Sequence, residues 1–187
     1  MNDSQHWRTL TRQTVFSGGP VREVAVESVE LPDGRRVDDY YVVRMPDYVL
    51  VFAEMHDGTV PMLRQYKHGP RRVCLTFPGG AIENQESPLE AAQRELLEEL
   101  GCTAEQWHSL GQYMTNANQG CNTAHFFRAR GCAVTSAPDS HDLEDTEVAY
   151  LNRDALLNPG LLADVGLASH VALLLLATSA VFSSEER

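Results

Sequence analysis

Between Glu86 and Glu105 the chain places six carboxylates and a single base, Arg94. Three of those acids, Glu95, Glu98 and Glu99, stand one, three and four residues apart. On a helix turning about 100° per residue they fall within about 100° of one another. Like charges at such spacings disfavour a helix by a few tenths of a kcal/mol per pair, so stability alone would interleave lysines. A hard divalent cation resolves the cluster, because it takes carboxylate and carbonyl oxygens and keeps waters. Arg94 reaches Glu98 one turn on, holding one carboxylate while others face the metal. The preceding stretch has the opposite sign: Pro61–Gly80 holds Arg64, Lys67, Arg71 and Arg72 and no acid. Metal-binding acids beside a basic segment suit a small anionic ligand.

These groups need a helix, and the sequence supplies one over Pro88–Leu100. Ser87 stands at the N-cap, Pro88 at the first helical position and Glu90 at the third, a capping box, with Gly101 as the stop. Leu89, Ala92, Leu96 and Leu100 form the opposed stripe expected to face the core. Before the helix, Val21–Val43 alternates around Pro32-Asp33-Gly34 and reads as a β-hairpin. Strands follow at Tyr48–Glu54, Val60–Tyr66 and Val73–Phe77, the last ended by Pro78-Gly79-Gly80. Beyond the helix come strands near His108–Met114, Thr123–Ala129 and Glu147–Leu151, then a C-terminal helix near Leu161–Phe182. Antiparallel hairpins and more strands than helices argue an α+β fold.

Composition bounds the rest. A chain of 187 residues forms one ordinary domain, with a small appendage at most, and buries enough surface to need no disulfide or metal staple. With 43% hydrophobic and 22% charged residues it is neither disordered nor fibrous. Fifteen Lys+Arg against 26 Asp+Glu give a net charge of −11, which repels a polyanion, so nucleic acid is not an expected partner. Residues Glu86–Glu105 alone supply −5 of it. The N-terminus lacks the apolar core of a signal peptide, and Val171–Phe182, about 12 residues, falls short of a bilayer span. Cys74, Cys102, Cys121 and Cys132 have no CxxC spacing and sit in apolar contexts, as buried free thiols of a cytoplasmic protein do.

From Gly80 through Glu86, Arg94-Glu95-Leu96, Glu98-Glu99 and Gly101-Cys102, the chain resembles the Nudix box, G-x5-E-x7-R-E-U-x-E-E-x-G-U, at every specified position. Cys102 replaces the usual aliphatic residue at the end. The stretch LRQYKHGPRRVCLTFPGGAIE is similar to the approach to the box in ADP-ribose and ADP-sugar pyrophosphatases. The LPDGRRV hairpin is similar to the extra β-subdomain of those enzymes. The resemblance implies a Nudix fold, an α/β/α sandwich around a mixed sheet. It divides the chain into an N-terminal antiparallel subdomain (residues 1–45, for dimerisation and substrate) and a catalytic domain (46–187) with the C-terminal helix.

The resemblance also implies roles. Glu95, Glu98, Glu99 and the carbonyl of Gly79 would bind Mg2+ or Mn2+, two to three ions, with Gly80 allowing phosphate and backbone to approach. Glu98 and Arg94 belong to the catalytic set together with a general base on the acidic loop before the last strand. With Thr146 and Val148 as the inward residues of that strand, the base is expected at Glu144, then Asp142, then Glu147. Arg64 is expected to contact a substrate phosphate or terminal sugar. Trp7 occupies the place of an aromatic that stacks on adenine. Asn118, sixteen positions past the box where ADP-ribose pyrophosphatases carry proline, would contact substrate from the polar loop Thr115–Gly120.

The reaction implied is metal-dependent hydrolysis of a nucleoside diphosphate linked to another group, giving a nucleoside monophosphate and a phosphorylated remainder. ADP-ribose or an ADP-sugar leads; a GDP-mannose- or UDP-glucose-like nucleotide sugar is the alternative, and a non-catalytic nucleotide-sugar sensor is a third reading. The expected partners are that small molecule and a second copy of the chain, as a homodimer, and no membrane.

Overall fold

The structure, a computed structural model, describes residues 6–139, 145–152, 155–156 and 158–179. The chain forms two compact units, Met1–Asp47 with Met114–Thr123, and Tyr48–Tyr113 with the remainder from Ala124.

In the first unit, β1 (Arg8–Gly18), β2 (Val21–Glu30) and β3 (Arg36–Arg44) form an antiparallel meander. The expected hairpin is β2–β3, its turn closed by the Gly34 amide donating to the Leu31 carbonyl at 2.9 Å. The strand β1 was not anticipated. Its side chains are almost all exposed, so it lacks the apolar alternation that marks a strand in sequence. The β2 ladder holds it, helped by cross-strand ion pairs of Arg8 with Glu30 and of Arg12 with Glu23 and Glu27. The first residues of β9 (Gly120–Val134) run parallel to the end of β3.

In the second unit, β4 (Tyr48–Met55) lies parallel to β9, and β7 (Cys102–Thr103) and β8 (Gln106–Asn116) also pair with β9. A second, antiparallel sheet has the order β10 (Glu147–Asn152), β5 (Thr59–Lys67), β6 (Arg72–Thr76). The pleat of β4 explains the layering. Val49, Val51 and Ala53 face the helix α1 (Pro88–Leu100) with Leu63, Ala92 and Leu96. Leu50 and Phe52 face the opposite core with Met62, Leu75 and the helices α2 (Pro159–Val165) and α3 (Ala168–Thr178). A strand buried on both faces reads as a continuous apolar run, as YVLVFA does.

Helix α1 spans the expected residues with both halves of its capping box formed and Gly101 left-handed at φ 64°. Its buried face differs in detail: Leu89 is exposed, whereas Ala91 and Glu99 are buried. The C-terminal helix is two helices. Gly166, at φ 60°, caps α2, and a Cβ there would lie 1.6 Å from the Arg72 guanidinium, which donates to the Ala163 carbonyl at 2.8 Å. Three cysteines are buried as expected; Cys121 is only half-buried, at the start of β9 with φ 48°. Among the described residues, no helix is long and apolar enough to cross a membrane.

Candidate active site

The segment Pro78–Gly80 links β6 to α1 by running along β4. Val51 N–H donates to the Pro78 carbonyl and Val49 N–H to that of Gly80, both at 2.9 Å. The carbonyls on either side of Gly79 are thus committed to β4. Gly79 is required by its backbone: at φ 156°, a Cβ would lie 2.1 Å from the Val49 carbonyl oxygen. At Gly80 the intruder is a carboxylate, since a Cβ would lie 2.2 Å from Oε1 of Glu95. Glu95 therefore lies flat against a surface that only glycine leaves open.

Glu99 is 8% exposed, and its Oε2 accepts the Gly79 N–H at 2.7 Å. Arg94 organises the remainder. Its Nε and Nη2 grip Glu86 as a fork at 2.9 and 3.0 Å, Nη1 reaches Glu95 at 2.7 Å and Glu98 at 3.0 Å, and Nη2 also donates to the Ala81 carbonyl at 3.0 Å. Hydrogen bonding to Glu86, then to Glu95 and Glu98, raises the guanidinium pKa beyond its already high ordinary value. The same contact holds the Glu86 carboxyl below the usual range. The sequence pattern indicated the Arg94–Glu98 pair; the fork to Glu86, eight residues earlier, needed the loop to fold back.

Gly79, Gly80, Arg94, Glu95, Glu98 and Glu99 are thus brought together. In chemistry alone the donor set suits a hard cation: three carboxylates on one helix flank beside a glycine loop whose backbone admits no side chain. Among the described residues, no group of three or more acidic, histidine or cysteine side chains is arranged to hold a metal ion. Glu95 and Glu98 instead share Arg94, and Glu99 is held by an amide.

The other expected residues make contacts of their own. Arg64 projects from β5 on the face turned away from α1, lining a cavity of about 590 Å³ with Tyr66, Val73, Asp145 and Glu147. Trp7, half-exposed in the first unit, packs edge-on against Tyr40 with centroids 5.6 Å apart. The Asn118 carbonyl accepts the Tyr40 hydroxyl at 2.6 Å, and Asn118 lines a cavity of about 410 Å³ in that unit beside Arg22, Arg44, Gln119 and Asn122. Asp142 and Glu144 lie outside the described residues.

Gln65 and His170 are among the buried polar groups that were not expected. Gln65 donates to Thr76 Oγ1 at 2.8 Å, inside the β5–β6 pair. His170 of α3 accepts the Phe77 N–H at Nδ1, 3.0 Å away, and its pKa is lowered to about 4 by burial, with Lys67 adding repulsion. A lone histidine in the apolar run LASHVALLLL was the available signal.

The NUDIX domain model matches residues 44–167. The chain belongs to the Nudix family. The nucleoside diphosphate sugar hydrolase N-terminal domain model matches residues 7–43. An ADP-ribose pyrophosphatase of Bacillus subtilis (strain 168) is 30% identical over 140 residues, covering 75% of this chain and 74% of the relative. A methanol dehydrogenase activator of Bacillus methanolicus is 32% identical over 124 residues, 66% of each. A crystal structure of an ADP compounds hydrolase superposes with TM-score 0.79 over 100% of both chains, at 23% identity, and so shows the fold. The protein is a Nudix hydrolase, an enzyme of a family that needs a divalent metal, and its box is the Gly80–Cys102 cluster just described.

Proposed function

We propose that this Nudix hydrolase cleaves the pyrophosphate bond of ADP-ribose or an ADP-sugar, releasing AMP and a sugar phosphate. The observation that carries the substrate class is the N-terminal match over residues 7–43, a nucleoside diphosphate sugar hydrolase module, joined to a box that Nudix enzymes of every specificity share. The 30% identity to an ADP-ribose pyrophosphatase supports adenosine as the nucleoside.

Glu95, Glu98, Glu99 and the Gly79 carbonyl are the residues to hold Mg2+ or Mn2+, two to three ions. When bound, the cations supply charge neutralisation on the diphosphate and an acidified water. Arg94 fixes Glu95 and Glu98 at one end of the cluster, and the Gly79 amide fixes Glu99 at the other. Glu144 is the proposed base for the attacking water. Val148, two residues into β10, packs on the α1 side beside Leu63, whereas Glu147 pairs with Arg64 on the other face. Arg64, in its open cavity, is proposed to meet the phosphate or terminal sugar. Trp7, and Asn118 with Arg22 and Arg44 near it, are proposed to meet the remainder of the nucleotide.

We place the enzyme in the cytoplasm as a homodimer. Four unpaired cysteines support the compartment. Val15, Phe16 and Tyr41, all more than half exposed on the first unit, support a subunit interface there. Asn118 in place of proline favours a second reading, in which a GDP-mannose- or UDP-glucose-like nucleotide sugar is preferred. A panel of nucleotide sugars and nucleoside triphosphates, assayed with Mg2+ for phosphatase-releasable phosphate, decides. ADP-ribose or an ADP-sugar should give the highest kcat/KM, and a preference for triphosphates would overturn the proposal.

A further inference from the structure

We propose that His170 is a positioning residue for the metal-binding segment Pro78–Gly80, acting through the backbone of Phe77; this rests on the metal assignment above. Phe77 is the joint of the site. Strand β6 ends at Thr76, paired with Leu63 of β5, and from Pro78 onward the chain pairs with β4 instead. The Phe77 N–H falls between the two ladders, at a residue 1% exposed, where an unpartnered amide has no water to turn to. His170 Nδ1 accepts the hydrogen bond from that N–H, with the two nitrogens 3.0 Å apart. The two rings lie parallel, 9° apart with centroids separated by 6.2 Å, and Phe52 packs on Phe77 at 5.5 Å. Acceptance at Nδ1 fixes the neutral tautomer with its proton on Nε2.

The helix pair therefore grips β6 at both ends. Arg72, its first residue, donates to the Ala163 carbonyl of α2, and Phe77, just past its last, donates to His170 of α3. Two residues beyond Phe77 lies Gly79, whose N–H orients Glu99 and whose carbonyl is assigned to the metal. Partners one layer out from a metal ligand typically change affinity 10–100-fold when removed.

The test compares H170L, which has no acceptor, with H170N, whose amide oxygen replaces Nδ1. Mn2+ binding is measured by EPR without substrate, kcat and KM with Mg2+, and folding by urea titration. Expected are a Mn2+ dissociation constant raised about tenfold or more in H170L, with kcat lowered more than KM, and H170N within about threefold of wild type. Folded H170L binding Mn2+ like wild type, or H170N as impaired as H170L, overturns the proposal. Should H170L not fold, the His170 imidazole resonances of the wild-type protein are followed during a Mg2+ titration. A saturable shift supports the coupling and its absence overturns it. Wild-type protein that binds no Mn2+ overturns the metal assignment itself.

Discussion

Glu147 and Arg64 face each other across the β10–β5 ladder, on the sheet surface turned away from α1. One residue on, Val148 and Leu63 pair toward α1. The alternation turns Glu147, the third candidate for the general base, away from α1. Glu144→Gln should lower kcat by about 10²–10⁴ with little change in KM, while Glu147→Gln stays within a few-fold. Steady-state kinetics at saturating Mg2+ checks this; the reverse order would mean that the acidic loop enters β10 in another register.

Glu99 carries the sharpest prediction for the cluster. Glu99→Gln keeps an oxygen to accept the Gly79 amide but removes the charge. It should lower kcat by about 10³-fold, the scale of several kcal/mol of lost electrostatic stabilisation. Removal of one charge from a repulsive triplet should leave urea stability equal or higher. Near-normal turnover would refute Glu99 as a metal ligand.

The adjacent glycines should separate stability from activity. Gly79→Ala drives a Cβ into the Val49 carbonyl at an unfavourable φ and should destabilise the protein by about 1–3 kcal/mol. Gly80→Ala meets first the Glu95 carboxylate, the end of a side chain rather than backbone, so the fold should survive and metal affinity should fall. Urea melts read beside Mn2+ titrations distinguish the two.

Acid should act in two windows. His170 has a folded pKa of about 4, below its ordinary 6.5, so the unfolded chain binds more protons between those values. Stability should fall as pH drops from about 6.5 toward 4, by about 3 kcal/mol in all, and H170N should flatten that limb. The Glu86 carboxyl is held low by Arg94, so its contribution is complete above about pH 4.5 and fades as pH falls through the lowered value. Arg94→Ala should remove this lower limb. Urea unfolding between pH 3 and 8 (about half-unit steps) measures both.

A dimer is expected in solution. Light scattering at micromolar protein should report twice the chain mass, and Phe16→Glu, at a side chain 53% exposed, should shift it toward the monomer. A wild-type monomer would remove the first unit from any role in a subunit interface.

The box was legible in the residues because its constraints are local. Ser87, Pro88, Glu90 and Gly101 set both ends of α1 through chain-neighbour hydrogen bonds, and a helix of known phase places Glu95, Glu98 and Glu99 on one flank. The hairpin turn at Pro32–Gly34 and the existence of strand β4 were readable for the same reason, since each leaves a local signature. What required the tertiary structure were partners remote in sequence. Glu99 is buried because a loop 20 residues earlier presents an amide to it. Strand β1 exists because β2 offers a ladder to an otherwise polar segment, and the C-terminal helix breaks at Gly166 where Arg72, over 90 residues away, fills the space of a side chain. His170 accepts a hydrogen bond from the Phe77 N–H across 93 residues. No periodicity encodes such a pair, because hydrogen-bond satisfaction in the core is settled by which backbone groups the finished packing leaves without water.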